Sequence, residues 1–173
     1  MSFGDLYNRV AQLVQVLRAA GVGVGDRVAG VLPNMPEACI AMLATSAVGA
    51  IWSSASPDFG VQGLLDRFGQ IDPKVLIGVD GYFYNGKIID CRAKMEEVQS
   101  KLPSLTKTLI VNFAGVGIPA GVEDFDGACA AYPAGDIAFE RLPFDHPLFY
   151  HLWLDDVELA DDRSGVRRNN CDL

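Results

Sequence analysis

Ser53, Ser54 and Ser56 place three hydroxyls at the end of a short apolar run, where a nucleophile or a ligand contact could sit. A serine becomes a nucleophile only beside a base, and neither His146 nor His151 is placed by sequence to serve one. Tyr84-Asn85-Gly86-Lys87 is a second candidate, a loop whose lysine could meet a phosphate. On spacing alone its ordinary reading is a surface lysine. Gly21-Val22-Gly23-Val24-Gly25 resembles a dinucleotide loop in composition. Such a loop must follow a strand and open a helix, so that helix-terminal amides face the pyrophosphate. Here the glycines follow a helix and precede a strand, so they read as a turn. No GxxxxGK[ST] phosphate loop occurs in the sequence.

The remaining polar clusters are weaker still. Asp145 and His146 adjoin, with Glu140 and His151 nearby, but Pro143 and Pro147 flank them and no metal-ligand geometry follows. The acidic run Asp155, Asp156, Glu158, Asp161 and Asp162 lacks the alternating oxygens and central glycine of a calcium loop. Cys39, Cys91, Cys129 and Cys171 are scattered, with no CxxC pair, and read as reduced thiols. No metal is assigned.

Positioning such residues needs a core, and the composition supplies one. The 173 residues are 50% hydrophobic and 21% charged, with a net charge of −8. That balance predicts a globular domain and argues against nucleic acid and anionic membrane surfaces as partners. No signal peptide or membrane span is legible, so the expected setting is the cytoplasm.

Helices and strands alternate along the chain. Ser2 to Asp5 reads as a capping box, after which Leu6, Val10, Leu13 and Leu17 recur at helical spacing until Gly21. Residues 26–32 form a strand. Asn34 with Glu37 reads as a second capping signature, with Pro36 in the first turn of a buried helix over about 36–49. A strand at 51–54, a helix over about 60–70 ended by Asp72-Pro73, and a buried strand at 75–79 follow. Residues 82–87 read as a small hairpin or loop, then a helix over about 90–101 and a strand over about 107–112. From Ala114 to Pro143 the texture turns to Gly, Ala, Pro and Asp, with one weak helical stretch at 125–132. Apolar strands separated by helices predict an α/β fold with a mainly parallel sheet flanked by helices.

Several strings carry a resemblance. Ser2 to Val10, SFGDLYNRV, is similar to the first core motif of the acyl-adenylate-forming (AMP-binding) ligases, and LATSAVGAIWSSASPDF to the second. WSSASPDFG…DRFGQIDPKVL with DGYFYNGK resembles the acetoacetate-CoA ligase branch, and FERLPFDHPL the stretch leading into that family's phosphate loop. The resemblance runs from Ser2 to about Pro147 and implies part of the large domain of such a ligase. It implies a parent reaction in which ATP and Mg²⁺ convert acetoacetate, or a similar short acid, to an acyl-adenylate that coenzyme A then attacks. The loop matching Tyr84 to Lys87 lies near the coenzyme A nucleotide in related ligases, and the strand end matching Ser53-Ser54 near the thiol tunnel. The cofactor-binding candidates are therefore Ser53, Ser54, Asn85, Gly86 and Lys87. Relatives often carry Arg where Lys87 stands, and Lys would make a weaker, non-bidentate phosphate contact.

Where a YSSGTTGLPK-like loop is expected after Leu148, the chain reads FYHLWLDDVELADDRSG. Without glycine-rich amides the triphosphate loses its main electrostatic support, so no catalytic residue is assigned. No cofactor is assigned to the chain alone. Residues 1–149 are expected to form a partial ligase domain, and 150–173 a divergent, disordered or frameshifted tail. The codons for Tyr150 to Asp156, read one base later, can spell Ile-Ile-Tyr-Gly-Ser-Thr-Thr. The expectation is a ligase fragment inactive on its own, with an exposed apolar sheet edge inviting self-association. A catalytically dead interaction module and a coenzyme A-binding module stand as alternatives.

Overall fold

The computed structural model describes residues 1–150. Helix α1 (Phe3–Ala19) starts at a capping box: the Ser2 hydroxyl accepts the Asp5 amide at 3.2 Å while the Ser2 amide donates to the Asp5 carboxylate at 2.8 Å. The chain turns at Gly21 and Gly25, both at positive φ, into β1 (Arg27–Val31). Helix α2 (Pro36–Ala47), strand β2 (Ile51–Ala55), helix α3 (Val61–Phe68) and strand β3 (Val75–Val79) follow. A hairpin, β4 (Gly81–Tyr84) and β5 (Lys87–Asp90), leads to α4 (Arg92–Lys101) and β6 (Lys107–Val111). The two-residue strand β7 (Glu123–Asp124) and the short helix α5 (Phe125–Ala130) complete the order.

The sheet runs β2-β1-β3-β6-β7, every neighbouring pair parallel, with the β4-β5 hairpin a separate antiparallel unit. The α/β architecture expected from the alternation is therefore present. Side chains alternate across the sheet as strand geometry requires. Val28, Val75, Ile77, Val79, Leu109 and Val111 pack under α1, α2 and α5, around Leu13, Leu17, Ile40 and Phe125. Ala29, Val31, Leu76 and Ile110 face α3 and α4, against Leu64, Phe68, Met95 and Val98. Burial on both faces explains why the strands read as unbroken apolar runs.

Three local expectations are corrected. Asn34 does not cap α2: the N-cap is Met35, in extended conformation and with no side-chain cap bond. Helix α3 ends at Phe68 with Gly69 as its C-cap, four residues before Asp72-Pro73. Asp72 instead holds a left-handed turn at φ 45°, where Arg27 takes the Ile71 carbonyl and, at 2.9 Å, that of Asp72. Helix α2 is not buried on nearly every face, since Cys39 and Leu43 are exposed. Strand β7, inside the Gly- and Pro-rich stretch, had no sequence signal.

Residues 131–150 form a strap across α1 and the edge of β2. Gln12, Gln15 and Arg18 donate to the carbonyls of Tyr132, Pro133 and Ala138 at 3.0, 2.7 and 2.6 Å. The Tyr7 hydroxyl accepts the Ile137 amide at 3.0 Å. The strap ends beside β2, where the Trp52 amide donates to Leu148 and the Tyr150 amide to Trp52, each at 2.9 Å. Among the described residues no helix is long and apolar enough to cross a membrane.

Candidate functional site

The strand order itself selects a rim of the sheet. The chain runs from β1 outward to β2, then crosses back to β3 on the other side of β1. In open α/β sheets that reversal leaves a crevice outside the carboxyl ends of the strands flanking the switch. Here that rule marks the rim between the β1–α2 connection, Leu32 to Met35, and the chain leaving β3 at Asp80. Ser53 and Ser54 sit near the carboxyl end of β2, and the hairpin springs from the carboxyl end of β3. Ser53 and Ser54 thus lie within β2, Lys87 opens β5, and only Asn85 and Gly86 belong to a connection.

Within that rim the structure separates them. Ser53 is buried and stands opposite Ala29, while exposed Ser54 stands opposite Gly30. Successive strand residues point to opposite faces, so the two hydroxyls cannot reach one ligand atom from the same side. Asn85 at φ 48° and Gly86 at φ 72° make the two-residue turn of the hairpin, both left-handed. That is the Asn-Gly preference of a primed turn, whose twist matches the strands it joins. Lys87 is exposed and pairs across the hairpin with Tyr84. No hydrogen bond or ion pair joins either serine to Asn85, Gly86 or Lys87 among the described residues.

The base of the hairpin is anchored by a residue that sequence reasoning passed over. Asp80 is fully buried. One carboxylate oxygen accepts the amides of Phe113 and Ala114, each at 2.8 Å, and the other those of Val116 and Gly117 at 2.7 and 3.3 Å. Its backbone amide donates to Val111 and its carbonyl accepts from Cys91 at 2.8 Å. A buried carboxylate is costly without compensation, and four convergent amides supply it. Gly81 follows because a Cβ there would fall 2.7 Å from the Ile89 carbonyl oxygen. The available signal was an acid closing the otherwise apolar strand VLIGV, ahead of glycines at 115 and 117.

The loop after β2 is held as firmly. Lys94 of α4 donates to the carbonyls of Pro57 and, at 3.2 Å, Phe59, and lies 6.0 Å from the centre of the Tyr82 ring. Arg67 stacks its guanidinium 4.1 Å from the Phe59 ring centre while donating to the Gly63 carbonyl. Beside them burial pushes the Cys91 thiol up, against the opposing pull of the Lys94 ammonium. Asp90, at the end of β5, is held below its ordinary value by hydrogen bonds from the Arg92 side chain and backbone. His146 Nε2 lies 3.0 Å from the Gly49 carbonyl oxygen, which makes it a strap anchor. The acidic run at 155–162 and His151 lie outside the described residues. A separate cleft of about 520 Å³, lined by Gln99, Thr106 and Val122 among others, opens at the start of β6 on the opposite rim.

Residues 1–133 match the AMP-binding enzyme family, and the chain belongs to that family. Among its relatives, the acetoacetyl-coenzyme A synthetase of Rhizobium meliloti (strain 1021) is 50% identical over 86% of this chain and 23% of its own length. The Macaca fascicularis acetoacetyl-CoA synthetase is 42% identical, again over 86% of this chain and 24% of its own. The solved acetoacetyl-CoA synthetase from Streptomyces lividans superposes with a TM-score of 0.82 at 44% identity, over 86% of this chain and 23% of that one. The chain thus spans about a quarter of the length of the relatives it matches.

Proposed function

We propose that this chain is the early part of the large domain of an acetoacetyl-CoA synthetase, whose reaction is ATP-dependent thioesterification of acetoacetate, or a similar short acid, through an acyl-adenylate. The observation that carries the reading is the 50% identity to an acetoacetyl-coenzyme A synthetase over 86% of the chain. In this reading residues 1–149 are domain scaffold plus one wall of the coenzyme A path, and 150–173 are a divergent tail. Lys87 at the hairpin tip would face coenzyme A phosphate as a point charge, with the Asn85-Gly86 turn bringing backbone close to it. Ser53 and Ser54 would stand beside the thiol path, and because they point to opposite faces only one of them, the exposed Ser54, would open onto it. ATP, Mg²⁺ and the acid would be held by the parent enzyme's remaining parts, because the 173 residues contain no glycine-rich phosphate loop. The chain by itself is then inactive, and its setting is the cytoplasm.

Acetoacetate-dependent ATP–pyrophosphate exchange by the purified chain tests inactivity directly, and turnover above a heat-killed control would overturn it. Calorimetric titration with coenzyme A tests the binding wall. Heat that is lost in Lys87→Ala supports the assignment; heat unchanged in that variant removes Lys87 from it.

A further inference from the structure

We propose that Asp80 is a positioning residue for the hairpin turn Asn85-Gly86: its carboxylate acts as an internal anion that assembles the 113–117 loop and locks the hairpin base against it. The inference rests on the hairpin reading above. Four amides converge on one buried carboxylate, an arrangement that loops elsewhere use to hold a phosphate or other oxyanion. Here the anion is supplied by the chain, at the one residue between β3 and β4. The loop can aim its amides this way because Gly115 at φ 75° and Gly117 at φ 98° adopt left-handed conformations. The same loop then touches the hairpin twice. Phe113 meets Phe83 edge to face with ring centres 5.6 Å apart, and Ala114 lies against Gly81, where an added Cβ would stand 3.1 Å from the Ala114 methyl. Beyond these contacts the strands of the hairpin are exposed at Phe83, Tyr84 and Ile88. The direction of the turn is therefore set at its base, and the base is set by Asp80.

An amide cannot replace this group. Asparagine keeps the shape but turns one acceptor oxygen into a donor aimed at the Val116 and Gly117 amides, or at those of Phe113 and Ala114. Alanine leaves a hole the size of a carboxylate, ringed by N–H donors, into which formate fits.

The test compares wild type, Asp80→Asn and Asp80→Ala as the whole 173-residue chain, with and without 100 mM formate (about the concentration a weak anion site requires). Amide NMR spectra report the loop and the hairpin separately from any ligand. In both variants the Phe113, Ala114, Val116 and Gly117 amides should shift together with those of residues 84–87, and formate should return both sets in Asp80→Ala but not in Asp80→Asn. Coenzyme A titration should show at least a tenfold loss of affinity in Asp80→Asn, with the remaining sheet amides unmoved. Loop shifts without hairpin shifts, or hairpin shifts that formate does not reverse in Asp80→Ala, overturn the proposal. If the variants fail to fold, native-state hydrogen exchange on the wild type decides: the loop and hairpin amides open as one unit if Asp80 couples them, and with separate free energies if it does not. Wild type that binds no coenzyme A sinks the hairpin reading while leaving the spectral test intact. Wild type and Asp80→Asn that bind equally sink the positioning role alone.

Discussion

Asp80 illustrates what a single residue can hide. Its type is visible in the sequence, but its role depends on amides more than 30 residues away, and nothing local announces them. Gly30 is a second such case. It reads as a small strand residue, yet an added Cβ would lie 2.4 Å from the Trp52 ring, which fills the space above it. A ring wedged in a dense core cannot retreat without disturbing its neighbours, so Gly30→Ala should cost about 1–3 kcal/mol in urea unfolding. Gly135→Ala, where nothing lies within 4 Å of the added carbon, should be neutral or stabilising by up to about 1 kcal/mol through the unfolded chain. Equal effects at the two sites would show that Trp52 is free to move. The thiols offer a third comparison. Cys39 is exposed, whereas burial pushes Cys129 up to about 11 and raises Cys91 as well. At pH 8 a thiol reagent should label Cys39 quickly, with Cys91 and Cys129 labelled only on unfolding, as read by peptide mapping.

Elements were legible where their signals are local. The capping box of α1, the buried strands and the hairpin turn each rest on residues within a few positions of one another, and each stands where its residues point. The corrected boundaries are those decided at a distance. Asn34 lies one residue before the cap position, so its side chain is out of register for the first amides of α2. Helix α3 stops early because its last turn is followed by a left-handed turn that Arg27, 44 residues upstream, holds through the Ile71 carbonyl. The two candidate strings were each visible in the sequence, but not their placement near the carboxyl ends of neighbouring parts of one sheet, because strand order is not written in any one strand. At the start of α1 the electrostatics are local enough to predict. Hydrogen bonds from the Ser2 backbone and hydroxyl hold Asp5 below its ordinary value of 3.8. A carboxyl depressed in the folded state stabilises it above that ordinary value and loses the contribution as pH falls through the lowered one. Asp5→Asn should therefore melt below wild type at pH 6, and the gap should close as pH drops below 3.8. A gap that persists unchanged into acid would mean that the carboxylate charge contributes nothing to the cap.

At the scale of the whole molecule, a parallel sheet has two edges to protect, and the structure treats them differently. The β7 edge is only two residues long and belongs to a turn entering α5. The β2 edge is five residues of an apolar strand, and backbone groups there invite pairing with another chain. The strap meets this edge at Trp52 through Leu148 and Tyr150, after being drawn across the helices by Tyr7, Gln12, Gln15 and Arg18. Those four residues form a docking stripe on α1 for three backbone carbonyls and one amide. The strap also carries Phe139, Phe144 and Phe149 outward, and Phe144 is fully exposed. The expected self-association should therefore depend on how well the strap stays seated on β2. Tyr150→Pro removes the amide that donates to the Trp52 carbonyl and, through its ring, disfavours the paired geometry. Sedimentation should show this variant shifted toward oligomers relative to wild type at equal concentration, with Trp52 fluorescence moving to longer wavelength as the edge is wetted. Replacing Phe144 by Ser removes exposed apolar surface without touching the edge, and should reduce association in wild type while leaving the excess caused by Tyr150→Pro in place. If Phe144→Ser abolishes that excess, the chains meet through the aromatic strap surface, and the sheet edge is not the contact.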